Sequence, residues 1–286
     1  MQTGVFSLLA AIIAVAAIYV NGFTDAPNAI AAAVGSGALR YRTASALAAA
    51  MNLLGLGASA AFFPQVARTI TQLAPFDCTS PRGLAAFIGA LGAVALFGAA
   101  AWWFGVPTSE SHGLVGGLAG AALALGLRPQ AAGVWKVVGG LAFSMALGAL
   151  LGDVCGRLVR ESPLGEKGLR RGQILSCALM AFAHGAQDGQ KFLAVLAMGT
   201  AGAVTTGLIA LCAGVMGLGT LLGGGRIVEK LTGRMVRADL QVGLASDLAA
   251  VICLTGATLW GLPVSTTQTR ACSLWGAAGG KGVDWR

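Results

Sequence analysis

Charge is what this sequence has least of. Asp, Glu, Lys and Arg make up only 10% of its 286 residues while 56% are hydrophobic, a balance that excludes an ordinary water-soluble domain. Four stretches, 43–67, 83–109, 192–225 and 248–269, hold no charged residue at all, and each reaches the roughly 20 apolar residues needed to cross hydrocarbon. Metal and redox motifs are missing too. The six cysteines (78, 155, 177, 212, 253 and 272) are scattered in or beside apolar segments without a CxxC pair, so they read as small apolar side chains. No nucleophile with an adjacent base and no metal cluster stands out, which argues against an enzyme. A basic N-terminal region is also absent. Met1 to Val20 runs into Asn21 and Asp25 without a clear cleavage site and reads as a retained first helix.

What is present is a polytopic, all-α membrane protein whose immediate partner is the lipid bilayer. Shorter apolar runs at 5–20, 113–127, 133–152 and 172–186 raise the expected total to about eight to ten membrane segments, some of them broken or re-entrant. The 44 glycines suit close helix contacts in lipid. A net charge of +8 does not point to nucleic acid, because the basic residues sit in short loops between spans. Arg157, Arg160, Lys167, Arg170 and Arg171 form one cluster, Arg226, Lys230, Arg234 and Arg237 a second, and Arg40 and Arg42 a third. All three are expected in the cytoplasm. The first helix then runs inward and the segment 172–199 outward.

The halves of the chain repeat each other. Asn21-Gly22-Phe23-Thr24-Asp25 aligns with His184-Gly185-Ala186-Gln187-Asp188, and the stretch Gly105 to His112 aligns with Gly261 to Gln268, each pair in the same order and following similar apolar runs. With the charge-derived orientations, the copies are inverted. Such repeats recur in secondary transporters, with binding at the midplane where interrupted helices meet. The expected division is a first repeat at 1–156, a cytoplasmic linker loop at 157–171 and a second repeat at 172–286.

Asp25 and Asp188 are the only acids in their apolar segments, and a carboxylate in hydrocarbon costs at least ~3 kcal/mol without a partner. Asn28 lies one turn after Asp25, and Pro27 frees a backbone carbonyl between them. Carboxylate, amide and carbonyl together could hold a hard cation such as Na+ at Asp25 and Asn28. In the second copy Lys191 stands where Asn28 would, and pairs with Asp188 at i, i+3. The two sites are therefore not equivalent. The proline-led turns carry Thr108, Ser109 and Ser111, then Ser265, Thr266 and Thr267. Their hydroxyls, with the N–H groups of restarting helices, make an anion cradle for phosphate or sulfate. Both histidines, His112 and His184, fall inside the repeated motifs and read as hydrogen-bond donors or proton carriers. Glu110 would repel an anion unless protonated or paired, and pseudosymmetry offers Arg270 as its partner. Asp153, Asp239 and Asp247 read as helix-end or loop acids without a role.

At these residues the chain resembles the inorganic phosphate transporter family of cation-coupled symporters, whose relatives include sulfate permeases. Thr24 to Ala29 and His184 to Lys191 resemble the family's repeated Asp-centred motif, and Pro107 to His112 and Pro263 to Gln268 its hairpins. The resemblance implies an inverted-repeat fold in the cytoplasmic membrane, phosphate on the hairpin hydroxyls, and coupling to H+ or Na+ through Asp25, Asn28, Gln187, Asp188, Lys191 and the histidines, without another cofactor. Thr24 and Gln187 stand where the family usually has Asn, Glu110 where it has Ser, and Gln268 where it has His. The second repeat also ends at Gly282 to Arg286 without the final span that closes the first at Cys155. Either the chain is cut short there or another subunit, as in a homo-oligomer, supplies that surface.

Overall fold

The structure is a computed structural model that describes residues 2–73, 77–106, 108–200, 202–225, 228 and 239–279. Every regular element among them is a helix: α1 (Gln2–Thr24), α2 (Ala26–Gly35), α3 (Tyr41–Phe62), α4 (Gln65–Thr71), α5 (Pro81–Phe104), α6 (Glu110–Ala124), α7 (Ala131–Glu161), α8 (Glu166–Gly199), α9 (Thr206–Leu222), α10 (Leu240–Leu259) and α11 (Thr266–Ala277). Among the described residues, five spans are long and apolar enough to cross a membrane: Gly4–Gly35, which joins α1 to α2, together with α3, α5, α7 and α10. The expected eight to ten segments include broken and re-entrant ones, and α9 (Thr206–Leu222) is a further, shorter apolar helix. The 34-residue α8 carries polar side chains through its middle, from His184 to Lys191, and α6 and α11 are only 15 and 12 residues long.

The outer face is apolar, as lipid contact requires. Leu96 and Trp135 are each 73% exposed, whereas Asn21, Asp25, His184, Asp188 and Lys191 are buried. An interior this polar inside an apolar coat is the reverse of a soluble domain. Four cysteines are buried and two half-buried, all of them free.

Two expectations fail on local chemistry. α8 passes through Asp188 without a break, because Glu166 to Gly199 contains no proline and nothing else interrupts its hydrogen-bond ladder. Of the two Asp-centred motifs, only that at Asp25 is interrupted, between α1 and α2. The supposed linker at 157–171 is mostly helical: α7 runs on to Glu161 and α8 begins at Glu166. Pro107, Arg226, Lys230, Arg234, Arg237 and the stretch Gly282 to Arg286 lie outside the described residues.

Small residues set the closest helix contacts. α3 packs on α8, and a methyl group added at Gly185 would collide with the backbone of Asn52, as one at Gly55 would with the backbone of Phe182. α11 crosses α7 in the same manner, with Gly152 against the backbone of Ser273 and Gly276 against that of Ala149. Backbones brought this near gain dispersion that larger side chains would prevent. α1 packs on α5 and α9, and α8 on α10 and α3.

The two turns that precede α6 and α11 are built alike. α5 ends on Gly105 with φ 61° and α10 is followed by Gly261 with φ 64°, a left-handed conformation that favours glycine. Gly105 N–H donates to Trp102 O and Val106 N–H to Ala101 O, while Gly261 N–H donates to Thr258 O and Leu262 N–H to Ala257 O. Both satisfy the last carbonyls of their helices. Ser109 and Ser265 then cap the next helices in extended conformation.

Candidate functional site

The interruption at Asp25 and the unbroken face of α8 meet at a shared amide. Asn21 Nδ2 lies 3.3 Å from Asp25 Oδ2 and 3.4 Å from Asp188 Oδ2. The hydroxyls of the second turn reach the same two carboxylates. Thr267 donates to Asp25 Oδ1 at 3.0 Å while accepting from Asn28 Nδ2 at 2.9 Å, and Thr266 donates to Asp188 Oδ2 at 3.2 Å.

Lys191 ties the first turn into this group. Its Nζ donates to Asp188 Oδ1 at 2.5 Å, to Ser111 Oγ at 2.6 Å and to Val264 O at 2.6 Å. All three ammonium hydrogens are thereby used inside a site where the residue is only 1% exposed. Ser111 Oγ also donates to Val264 O at 3.0 Å, so the starts of α6 and α11 stand side by side.

The tautomer of His184 follows from its neighbours. Thr220 Oγ1 donates to Met216 O at 3.0 Å and accepts from Asn52 Nδ2 at 3.2 Å. Asn52 Oδ1 therefore faces His184 Nδ1, 3.1 Å away, and only an Nδ1–H can satisfy it. Nε2 is left pointing at Asp188 Oδ2 at 3.3 Å. A lone pair set against a carboxylate is repulsive, so a proton or a cation belongs between them. Ligand atoms of Asp25, His184 and Asp188 all lie within 4.8 Å of one another. Two carboxylates against one fixed ammonium leave one negative charge, which one proton or one monovalent cation would balance. An imidazole nitrogen is a poor ligand for a hard cation.

Ser109 Oγ accepts from His112 N–H at 3.3 Å and Ser265 Oγ from Gln268 N–H at 3.2 Å. Capping uses the oxygen lone pair and leaves the hydroxyl hydrogen free to donate to an anion. Thr108 is half-buried at the first turn.

This arrangement coincides with a known sequence pattern, since the chain matches the phosphate transporter family over residues 21–168 and 156–286. It belongs to that family. A probable low-affinity inorganic phosphate transporter of Bacillus subtilis is 33% identical over 98% of this chain and 89% of its own length. One from Mycobacterium bovis is 34% identical over 98% of this chain and 70% of its own. A solved structure described as the sodium-dependent phosphate transporter shares the fold with a TM-score of 0.82 at 19% identity, over 97% of this chain and 90% of that one.

Within the family frame, several residues lie apart from the carboxylate group. Gln187 donates to Thr258 Oγ1 at 3.3 Å and to Leu262 O at 3.2 Å, which directs its amide toward the end of α10. His112 is exposed. Glu110 and Arg270 do not pair. Arg270 Nη2 lies 2.7 Å from Asp247 Oδ1 and its Nε donates to Asn28 O at 3.4 Å, whereas Glu110 Oε1 lies 3.2 Å from Thr24 Oγ1. Asp239 caps α10 through the N–H groups of Gln241 and Val242, and Asp153 makes an exposed pair with Arg157. Asp247 is different. It is fully buried and accepts from Gln173 and from Ser176 Oγ as well as from Arg270. Sequence reasoning passed over Asp247, and also Asn21 and Asn52. Asn21 sits inside the repeated motif and Asn52 is the one amide between Thr43 and Pro64, so both carried a signal.

Proposed function

We propose that this chain is a secondary active symporter that carries inorganic phosphate across the cytoplasmic membrane together with H+ or Na+. The observation that carries the reading is the Lys191 ammonium, which binds Asp188, the first turn through Ser111 and the second through Val264. It links the carboxylates that would bind the coupling ion to the hydroxyls that would bind the anion. Capping hydroxyls at Ser109 and Ser265, together with two adjacent helix N-termini, suit a tetrahedral oxyanion. The names of the relatives support phosphate as that anion. Coupling follows from charge: a cation taken up beside Asp25 and Asp188 lowers the cost of an anion a few ångströms away, and the converse holds by linkage.

The reading includes an inverted repeat. Its support is the matched turns at Gly105 and Gly261 and the exchanged packing, α1 on α5 and α9 against α8 on α10 and α3. Alternating access would then be a rocking of one copy against the other around a fixed site. Of the two coupling ions the proton fits better, because Lys191 already stands at Asp188 as a resident cation and His184 Nε2 lacks a donor of its own.

Purified protein in liposomes, given radiolabelled phosphate with sulfate as competitor, tests the substrate. Uptake that excess sulfate leaves largely intact supports the reading. Stronger inhibition by sulfate than by unlabelled phosphate would make the chain a sulfate carrier.

A further inference from the structure

Glu110 begins α6 as its first helical residue and is only 1% exposed. One oxygen, Oε2, has no hydrogen-bond partner, and the other lies 3.2 Å from Thr24 Oγ1. Thr24 has a single hydroxyl hydrogen, and its oxygen stands nearer to Val20 O, at 2.8 Å, in the usual bond to the carbonyl one turn back. That hydrogen can go to Val20 O or to Glu110 Oε1, not to both at once. A carboxylate here would be buried with at most that one shared donor for its two oxygens, whereas a neutral acid donates from Oε1 and leaves only a carbonyl oxygen unpaired.

The surroundings point the same way. From α5, Gly98 faces Glu110, and a methyl group there would collide with its Oε1 and with Val20; the only charge on α5 is Arg82, at the far end of the helix. α1 contributes no charged side chain to this face, and Asp25 follows it. α8 brings Asp188, His184 and Lys191, but the ammonium is already spent on Asp188, Ser111 and Val264. On α6 itself the titratable neighbour is His112, which is exposed. Two acids therefore act on Glu110 electrostatically, with no counter-ion of its own.

We propose that Glu110 is a proton-binding site of the transport cycle, carrying its proton on Oε1 toward Thr24 Oγ1 in a slot that Gly98 keeps open. Ser109, the preceding residue, caps α6 and keeps its hydroxyl hydrogen free for the anion. A neutral Glu110 admits the anion, and an ionised one repels it. Release of this proton to water, when the site opens to the cytoplasm, would drive the anion out in the same direction. The inference rests on the symport reading above and names where its proton is carried.

Two measurements on Glu110→Gln separate the proposal from that reading. Gln keeps the shape and the donor to Thr24 but cannot release a proton. In liposomes the variant is expected to lose at least about tenfold of the phosphate uptake driven by an inward proton gradient, while phosphate exchange at equal pH falls far less. Infrared spectra of the purified proteins need no transport at all. At neutral pH the wild type should show a protonated-carboxyl band that Glu110→Gln lacks. Gradient-driven uptake equal to wild type, an equal loss of exchange, or an unchanged band would each overturn the proposal. If wild-type protein carries no phosphate but the band depends on Glu110, the symport reading fails and the protonated acid stands.

Discussion

Lys191 donates to Ser111 Oγ across 2.6 Å, a contact that joins residues 80 positions apart and ties the carboxylate group of Asp25 and Asp188 to the start of α6. Removing one partner of a buried, hydrogen-bonded ion pair leaves the other charge uncompensated and costs about 3–5 kcal/mol. Lys191→Met is therefore expected to lower the thermal unfolding temperature in detergent and to abolish concentrative uptake. The double change of Lys191→Met with Asp188→Asn should recover stability without recovering uptake. Full uptake in the single variant would remove Lys191 from the mechanism.

The second ion pair predicts stability more than transport. Asp247, Gln173, Ser176 and Arg270 join α8, α10 and α11, and Arg270 also holds the carbonyl of Asn28 beside Asp25. Arg270→Met alone should cost about 3–5 kcal/mol, and adding Asp247→Leu should return most of that loss. Thermal melts of the two single variants and the double decide it. Equal melting of all three would show that the pair contributes nothing.

That pair also marks what the sequence could and could not convey. The Asp25 and Asp188 motifs, the i, i+3 partnership of Lys191 and the two hydroxyl turns were all legible, because each rests on spacing along one segment. Arg270 was assigned to Glu110 by pseudosymmetry, and Asp247 was set aside as a helix-end acid. α10 starts at Leu240, which places Asp247 two turns inside a helix and facing α8 and α11. Which faces of separate helices meet depends on their rotation in the packed state, and spacing along one helix does not record that. The missing break in α8 was legible in principle, since its segment has no proline.

The close approach of α3 and α8 gives a steric prediction. Gly185 lies beside His184, against the backbone of Asn52, and Asn52 fixes the tautomer of His184. Gly185→Val should push the helices apart, cost about 1–3 kcal/mol as overpacked sites do, and impair uptake more than its stability loss accounts for. Gly57 on the same helix α3 has nothing near it, so Gly57→Val serves as the control and should retain uptake.

Capping hydroxyls separate anchoring from anion binding. Ser109→Ala and Ser265→Ala each remove a helix cap, at a cost of about 1 kcal/mol. If their free hydroxyl hydrogens also serve the anion, the KM for phosphate should rise by about tenfold beyond any change in the amount of folded protein. Replacement by Asp keeps the cap but adds negative charge. At a position only 1% exposed the carboxylate also loses its hydration, so Ser265→Asp should melt below wild type and take up almost no phosphate; uptake equal to wild type would show that the anion does not approach this turn.

The most direct test of the account is accumulation of phosphate in liposomes under an imposed proton or sodium gradient, comparing wild type with Asp25→Asn. The account predicts that an inward proton gradient drives wild-type phosphate above its external concentration, and that Asp25→Asn, correctly inserted, does not accumulate it. Wild-type flux that only equilibrates whatever the gradient would make the chain a passive pathway, and accumulation undiminished in Asp25→Asn would contradict the role given to the carboxylates.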